Sequence, residues 1–440
     1  MTRGLKQDAA MPNPEIRNLW AHAHKARNGE QAQLPRKIAV IFGTRPEVIK
    51  LFPVIKQIER NSHLRSMVIS TSQHRAMIDE LLPLFALRLE HDLNIIQPNQ
   101  TLADISTRAL VGLDTIFKQE RPDFVLVQGD TTTAFIGALA AFYHKIPVGH
   151  LEAGLRSHDK TSPYPEEINR RLVSNLADLH FAPTMKSAAN LYKEGVAVEN
   201  IFVTGNTVID ALLHVAGRRN ERLRDHLPAA ALQASRMLLV TAHRRENHGA
   251  ALENLCHALK ELVHRHPELH IVYPVHLNPN VRQTVFALLA EEDRIHLLPP
   301  LSYEPFVEAM SKAHLIITDS GGVQEEGPSL GKPILVFRNE TERPEGVAAG
   351  GVKLVGTRCE HLVQEASHLL KDEAAYRSMS TVRNPYGDGQ AAQRVAQAIL
   401  HYFEMAERPE DFMEVTAAKS QEETLFHSPT SSVPAMALAA

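Results

Sequence analysis

Six short polar motifs follow apolar runs of this chain and hold the residues best suited to chemistry. They are GTRPE (43–47), QGDTTT (128–133), HLEAGLRS (150–157), TAHRREN (241–247), TDSGGVQEE (318–326) and RNETERPE (338–345). A polar residue after a strand is often only a turn residue or a helix cap, so one motif alone favours an ordinary structural role. Six motifs in equivalent positions favour a shared binding site.

Three carboxylates, Asp130, Glu152 and Glu166, are candidates for moving a proton. Glu152 follows the apolar run GHL, and apolar surroundings raise the pKa of a carboxyl toward the range useful for proton transfer. Each has an ordinary alternative: a helix N-cap for Asp130, an ion pair with Arg156 for Glu152, and stabilisation of a helix dipole for Glu166.

The motif TDSGGVQEE is suited to binding a diphosphate. Ser320, Gly321 and Gly322 stand where a strand meets a helix, so backbone N–H groups can approach an anion without a Cβ in the way. The chain has neither the GxxxxGK[ST] pattern nor, in its first half, GxGxxG, so ATP and nicotinamide cofactors are not implied. Further contacts to phosphate or ring substituents, unless the side chains are simply solvated, are expected from Arg45, Arg244 and Arg343.

Two of the 24 histidines stand at predicted strand ends. His243 follows an apolar strand and could hydrogen-bond a phosphate or a uridine, although a satisfied structural histidine is the alternative. His276, in YPVHLNPN, is similarly placed, with a structural role at least as well supported. No spacing of His, Asp and Glu predicts a metal site.

Composition predicts a cytoplasmic protein that binds small molecules. The formal charge of -4 and the pI near 6.7 give no basic field for nucleic acid or an anionic membrane. The two cysteines, Cys256 and Cys359, lie outside any CxxC spacing, so neither a disulfide framework nor a zinc knuckle is indicated. No stretch approaches the ~18 apolar residues that would span a membrane, so no membrane insertion is expected.

The apolar pattern predicts an α/β fold made of two Rossmann-like, doubly wound parallel-sheet halves facing a central cleft. The strands are continuous apolar runs separated by helices, which is typical of parallel sheets covered on both faces. Six are predicted before a charged connector (217–235) and six after it. They are KIAVIFG, SMVIST, DFVLVQG, IPVGHL, LHFAP and IFVTG, then MLLVTAH, LHIVYPV, RIHLLPP, HLIITDSGG, KPILVF and GVKLVG.

The ordered motifs resemble those of the bacterial non-hydrolysing UDP-N-acetylglucosamine 2-epimerase family over approximately residues 37–404. The matching runs are FGTRPEVIK, QGDTTTA, PVGHLEAGLRS, SPYPEEINRR, VTGNTVIDAL, TAHRRENHG, IVYPVHLNPNVR, ITDSGGVQEEGPSLGKP, TERPE and NPYGDGQA. The resemblance implies the GT-B architecture, with a C-terminal helix returning to the first domain. The expected division is an extension (1–35), a first domain (36–206), a UDP-binding domain (207–385), the returning helix (386–407) and a tail (408–440), both ends being flexible.

The resemblance also implies a reaction. UDP and the C2 proton of UDP-GlcNAc leave to give a 2-acetamidoglucal, and UDP adds back with protonation on the other face to give UDP-ManNAc. Neither a cofactor nor a metal is implied, and a homodimer is expected. Positions matching family ligand or active-site residues are Arg45, Lys50, Asp130, Glu152, His243, Ser320, Gly321, Gly322, Glu326 and Arg343, with Phe306 expected beside the nucleobase. Asp130, Glu152 and Glu166 match the acidic residues of the family's proton transfers, so the resemblance implies that these three form the acid–base group.

Three other functions fit the same pattern. A glycosyltransferase with a GT-B cleft would use the phosphate cradle equally well but would need an acceptor. A hydrolysing epimerase would release free ManNAc and UDP. A non-catalytic sugar-nucleotide sensor would bind without turnover, although the complete acidic trio Asp130, Glu152 and Glu166 speaks against it.

Overall fold

Each half of the chain forms one parallel β-sheet in the computed structural model, which describes residues 34–73, 75–218 and 226–413. The strands of the first half are β1 (Arg36–Phe42), β2 (Leu64–Ser70), β3 (His91–Asp92), β4 (Phe124–Gln128), β5 (Val148–Leu151), β6 (Leu179–Ala182) and β7 (Ile201–Val203). Those of the second half are β8 (Arg236–Thr241), β9 (Leu269–Pro274), β10 (Ile295–Leu298), β11 (Leu315–Thr318), β12 (Ile334–Val336) and β13 (Val352–Leu354). All twelve predicted strands are present, and the two-residue β3 is additional because so short a strand carries no apolar period.

Helices connect these strands. In the first half they are α1 (Arg45–Glu59), α2 (Arg75–Asp79), α3 (Leu81–Leu84), α4 (Leu102–Glu120), α5 (Thr132–Tyr143), α6 (Glu166–Leu176), α7 (Met185–Lys193) and α8 (Thr207–Ala216). The second half contributes α9 (Ala229–Gln233), α10 (Ala250–Arg265), α11 (Pro279–Leu289), α12 (Tyr303–Lys312), α13 (Gly321–Glu326), α14 (Pro344–Ala349), α15 (Cys359–Lys371), α16 (Glu373–Ser380) and α17 (Ala391–Tyr402). No helix in the described part of the chain is long and apolar enough to cross a membrane.

Both faces of each sheet are buried, as the continuous apolar strands predict. In β1, Ile38, Val40 and Phe42 pack in one core cluster, whereas Ala39 and Ile41 pack in another on the opposite face. This division follows from the two-residue period of a strand. The first of these clusters continues into the second half of the chain, so one apolar core joins the two sheets.

The strand orders put a topological switch point in the middle of each sheet. The first sheet runs β3–β2–β1–β4–β5–β6–β7 and the second runs β10–β9–β8–β11–β12–β13, with every pair parallel. Chain order reverses at β1/β4 and at β8/β11, where ligands of doubly wound folds bind at the carboxyl ends. The polar motifs GTRPE, QGDTTT, TAHRREN and TDSGGVQEE follow these four strands. The confirmed fold therefore gathers them at the two expected crevices.

The chain passes from the first half to the second after α8 and returns to the first half with α17, and these two crossings lie side by side. Helix α8 packs against α1 of the first half and against α12 and α13 of the second, and α17 returns to pack on α1 and α8. The chain before α8 meets the chain before α17 closely, because a Cβ on Gly205 would stand 3.2 Å from the Cα of Gly387. Gly205 has a φ of +81°, a region that favours glycine. The two crossings thus form a tightly packed junction between the halves.

Part of the segment predicted as a C-terminal tail packs against β7. Phe412 is buried, its N–H donates to the Val203 carbonyl at 2.6 Å, and Asp411 accepts from the Val203 N–H at 2.8 Å. An apolar ring and a carboxylate that caps the sheet edge explain why the folded chain extends past residue 408. The rest of that tail, the N-terminal extension up to residue 33, and residues 219–225 of the predicted connector lie outside the described residues.

Asp210 of α8 binds the first turn of the returning helix α17. Its carboxylate accepts from the N–H groups of Ala391 (3.3 Å) and Ala392 (2.8 Å), and burial raises the pKa of Asp210 from 3.8 to about 7. A carboxyl with a raised pKa contributes stability below its unfolded pKa that is lost as the pH rises through about 7. We expect Asp210→Asn to gain stability relative to the parent protein between pH 5 and pH 8, by about 1–3 kcal/mol. Thermal melting across that range measures it, and a difference independent of pH would contradict it.

Candidate active site

A cavity of about 510 Å³ lies between the halves, within the range of small-molecule sites. It is lined from the first half by α1 and by Val208 of α8. From the second half it is lined by the segments after β8, β9, β10, β11 and β12 and by parts of α12 and α13. The predicted site residues that line it are Arg45, Lys50, His243, His276, Phe306, Ser320, Gly322, Glu326 and Arg343. The cavity is therefore the cleft expected from the strand ends.

The start of α1 is held by a buried carboxylate. Glu47 accepts from the N–H of Gly43 at 2.9 Å and from the Thr131 hydroxyl at 2.6 Å, which ties the loop after β1 to the loop after β4. Gly43 is required by packing, since a Cβ there would meet two threonine hydroxyls at 2.1 and 2.5 Å. This fixed turn presents Arg45 and Lys50 to the cleft.

Lys50, which lines the cleft, forms an ion pair with Glu152, which does not itself line the cavity. The Nζ of Lys50 lies 2.6 and 2.7 Å from the two carboxylate oxygens, and the side chains are only 15% and 9% exposed. Gln128 at the end of β4 also donates to Glu152. The backbone of Glu152 has a φ of +61°, which a non-glycine residue adopts only at some cost in strain. Such strain is typical of residues held for a function.

This ion pair corrects two expectations about Glu152. Burial alone would raise its pKa, but the Lys50 ammonium, with further help from Arg343, holds the pKa of Glu152 below its ordinary value. The carboxyl is therefore ionised. The alternative partner Arg156 pairs instead with Glu194, its Nη2 lying 2.6 Å from a carboxylate oxygen. The expected rise in the pKa of Glu152 was wrong because the sequence does not show that a lysine 102 residues away is its partner.

Asp130 and Glu166 do not line this cavity. Asp130 forms a short ion pair with Arg170 of α6, and its carbonyl accepts from Asn169 at 2.9 Å. The alternative of a helix cap is wrong, since Thr131 caps α5. Glu166 stands half-buried in the first turn of the same helix α6. The structure thus brings Asp130 and α6 together, beside the loop that carries Glu152.

Ser320 begins α13 and lines the cleft with Gly322. A Cβ on Gly321 or Gly322 would meet only ordinary contacts, the nearest being Arg244 Nη2 at 3.8 Å and Ser320 Oγ at 3.9 Å. The protein's own packing does not require these glycines, which favours the interpretation that they leave room for a ligand. Arg244 lies behind them, 3.1 Å from Glu342, and does not line the cavity.

A buried carboxylate supports the histidine loop. Asp319 accepts from the backbone N–H of His243 (3.0 Å) and of Arg244 (2.9 Å), and its Oδ1 lies 3.2 Å from His243 Nδ1. Although burial alone would raise the pKa of Asp319, the His243 contact and the N–H donors keep it below its ordinary value. The ring of His276 lies 5.9 Å from that of His243. Within the described residues, no group of three or more His, Cys, Asp or Glu could hold a metal ion.

Two adjacent glutamates of α13 have different partners. Glu325 forms a short ion pair with Arg343, whereas Glu326 accepts from the Tyr303 hydroxyl at 3.2 Å. Burial, and then the negative charge of Glu325, raise the pKa of Glu326 to about 7. The cleft carboxyl with a raised pKa is therefore Glu326 rather than Glu152.

Sequence reasoning missed several residues that the structure brings to the site. The omitted side chains that hold the candidate residues in place are Gln128, Arg170, Asn206, Asp319 and Glu325. Spacing could have identified Arg170, because it stands four residues after Glu166 on one helix face. The other four side chains contact partners that are distant in the sequence, and no local sequence pattern signals such contacts.

Comparison with known proteins decides the family. A family model described as UDP-N-acetylglucosamine 2-epimerase matches residues 56–400. This chain belongs to the UDP-N-acetylglucosamine 2-epimerase family. It is 49% identical to the UDP-N-acetylglucosamine 2-epimerase of Bacillus subtilis over 86% of this chain and 98% of that protein. It is 50% identical to that of Escherichia coli over 82% of this chain and 98% of that protein.

A solved member of the family shares the fold. The crystal structure of UDP-GlcNAc 2-epimerase from Neisseria meningitidis bound to UDP-GlcNAc has a TM-score of 0.76 and 46% identity, covering 83% of this chain and 100% of that one. The family resemblance stated from the motifs is confirmed. The two facing Rossmann-like sheets have the GT-B arrangement found in the family.

Proposed function

We propose that the protein is a cytoplasmic, homodimeric and non-hydrolysing epimerase that interconverts UDP-GlcNAc and UDP-ManNAc, supplying ManNAc-type precursors for bacterial surface polysaccharide. Its family and the named activities of its relatives support the substrate. The Neisseria meningitidis relative, whose structure contains UDP-GlcNAc, is similar over the whole of its length.

The proposed chemistry has two balanced steps. In the first, the C2 proton passes to a carboxylate, the C–H electrons form the C1–C2 double bond, and the C1–O bond breaks with its electron pair leaving on UDP. In the second, UDP adds back to C1 of the 2-acetamidoglucal and a proton is delivered to the opposite face of C2. Because a C2–H without an adjacent carbonyl is not acidic, stabilisation of the leaving diphosphate must supply much of the acceleration.

The observation that carries this proposal is the ion pair between Glu152 and Lys50, a lysine that lines the cleft. Lys50 and Arg343 lower the pKa of Glu152, so it enters the reaction able to accept a proton. Lys50 and Arg343 line the cleft, as does Arg45. These three cations suit a leaving diphosphate. Asp130, with Glu166 nearby on α6, is proposed to serve the other face of C2.

Product analysis separates this function from its rivals. UDP-GlcNAc incubated alone with the protein is expected to give UDP-ManNAc, with no free sugar, in a chromatographic assay. Accumulation of free ManNAc in step with UDP would contradict the non-hydrolysing claim. Turnover that begins only when an acceptor alcohol is added would instead establish a glycosyltransferase, while binding without any turnover would indicate a sensor.

Replacing Arg343 is expected to weaken binding more than turnover. The guanidinium lines the cleft and pairs with Glu325, and a charge-assisted contact to a phosphate contributes about 1.5–3 kcal/mol. Arg343→Ala should therefore raise KM and the Kd for UDP by about 10- to 100-fold, with a smaller change in kcat. Calorimetry with UDP and steady-state rates measure both quantities. Arg377→Ala, which breaks an exposed pair with Glu373, is the control, and unchanged UDP affinity in Arg343→Ala would remove the arginine from the binding site.

A further inference from the structure

Asn206 lies between the two ion pairs of the cleft. Its Nδ2 is 3.2 Å from Glu152 Oε1, on the first half, and 3.3 Å from Glu325 Oε2, on the second. An amide nitrogen carries two hydrogens, so it can donate one to each carboxylate. Asn206 is 4% exposed, and these donors therefore compete little with water. One side chain thus connects the pairs Lys50–Glu152 and Glu325–Arg343.

The orientation of this amide is fixed by the rest of the fold. Asn206 is the N-cap of α8, and its Oδ1 accepts from the Val208 N–H at 3.1 Å. With the oxygen engaged at the helix start, the nitrogen must face the carboxylates. Its own N–H donates to the Tyr386 carbonyl at 2.7 Å. Backbone and side chain are therefore both held where the two crossings meet.

The groups that face Glu152 come from several elements. Lys50 contacts it from α1, Gln128 from β4 and Asn206 from the start of α8. Arg343, from the second half, adds a positive charge. Gln128 and Asn206 are the neutral donors, one to each carboxylate oxygen. Loss of a neutral donor leaves the ion pair in place but removes one of the hydrogen bonds that orient the carboxylate.

We propose that Asn206 is a positioning residue that holds Glu152 in its reactive orientation and couples this orientation to the Glu325–Arg343 pair of the second half. The inference rests on the proposed epimerase function, in which Glu152 accepts a proton. Neither an ordinary helix cap nor a sugar contact requires one amide to join the carboxylates of both halves.

The test uses Asn206→Ser in the full chain. Serine also caps helices, but its shorter side chain cannot span two carboxylates. The expected result is a kcat lower by about 10- to 100-fold, a KM within about 3-fold, and an acid limb of the kcat/KM profile that moves to higher pH. Asn206→Asp keeps the cap but adds a third carboxylate, and should move the limb further. The acid limb moves to higher pH because loss of the hydrogen bond from Asn206 raises the pKa of Glu152.

The matched control is Asp372→Ser, which makes a similar exchange at the exposed N-cap of α16. It should change neither kcat nor the profile. A wild-type kcat and profile in Asn206→Ser would overturn the proposal. A lower kcat with an unmoved acid limb and a lower melting temperature would also overturn it, since that pattern indicates a structural cap alone.

A titration that needs no turnover separates this inference from the proposed function. In protein labelled with ¹³C at glutamate side chains, the Glu152 signal is assigned by its loss in Glu152→Gln. Its pKa should be higher in Asn206→Ser than in the parent protein, and equal values would overturn the role of Asn206. A parent protein that does not convert UDP-GlcNAc would refute the epimerase proposal, while the titration would still decide whether Asn206 controls Glu152.

Discussion

Glu152→Gln is expected to lower kcat by about 10³-fold while UDP binding stays within about 3-fold. Glutamine preserves the size of the side chain and can still accept a hydrogen bond from Lys50, but it cannot accept a proton. The loss should therefore fall on the chemical step. Steady-state rates with UDP-GlcNAc and calorimetry with UDP measure the two effects separately.

The control for this variant must also break a lysine–glutamate pair. Glu365 is 13% exposed and its Oε2 lies 2.5 Å from Lys353 Nζ, so it matches Glu152 in partner and burial but lies on α15, away from the cleft. Glu365→Gln should retain parental kcat. Because removing one partner of a buried pair can destabilise the fold, melting temperatures of both variants are compared. Parental turnover in Glu152→Gln would exclude Glu152 from proton transfer.

Asp130→Asn is the second large effect, a loss of about 10²-fold or more in kcat with little change in UDP affinity. Asp130 is held by Arg170 on α6, near Glu166, and can exchange a proton only as a carboxyl. The asparagine retains a hydrogen-bond acceptor for Arg170, so the helix should stay in place. Rates and UDP binding are measured as for Glu152.

Asp123→Asn provides the matched aspartate–arginine control. Asp123 is 28% exposed and pairs with Arg36 at 3.2 Å, while Asp130 is 29% exposed in its pair with Arg170. The Asp123 variant should keep parental kcat. If both variants lose activity equally, the effect is structural, and Asp130 has no special part in the reaction.

The sheet architecture was predictable because its signals are local. Each β-branched run between helices carries its own apolar pattern, and parallel sheets buried on both faces make such runs continuous. The same logic placed the polar motifs at the carboxyl ends of the strands. Nine of the predicted site residues, including Arg45 and Ser320, accordingly line one cavity.

The electrostatics of the site were not predictable in the same way. The expected rise in the pKa of Glu152 rested on its apolar neighbours in sequence, whereas Lys50, brought from α1, reverses the sign. Among the predicted site residues that line the cleft, Glu326 is a carboxyl with a raised pKa; its neighbour Glu325 is visible in sequence, but burial is the larger cause. Burial and partners distant in sequence decide these charges.

The proposed site role of Asn206 could not be predicted from the sequence either. In sequence it is an ordinary asparagine before a helix, and its capping role would explain it fully. Only the folded chain places its second amide atom between Glu152 and Glu325. A residue that satisfies a local rule can therefore also serve a site assembled from both halves of the chain.

The most direct test of the central claim is proton NMR of UDP-GlcNAc incubated with the purified protein in D₂O. Both the anomeric signals and the C2 proton are followed with time. Epimerisation through proton exchange predicts UDP-ManNAc signals and the replacement of the C2 proton by deuterium. An unchanged spectrum, or UDP-ManNAc that retains the full C2 proton signal, would contradict elimination and re-addition at this site.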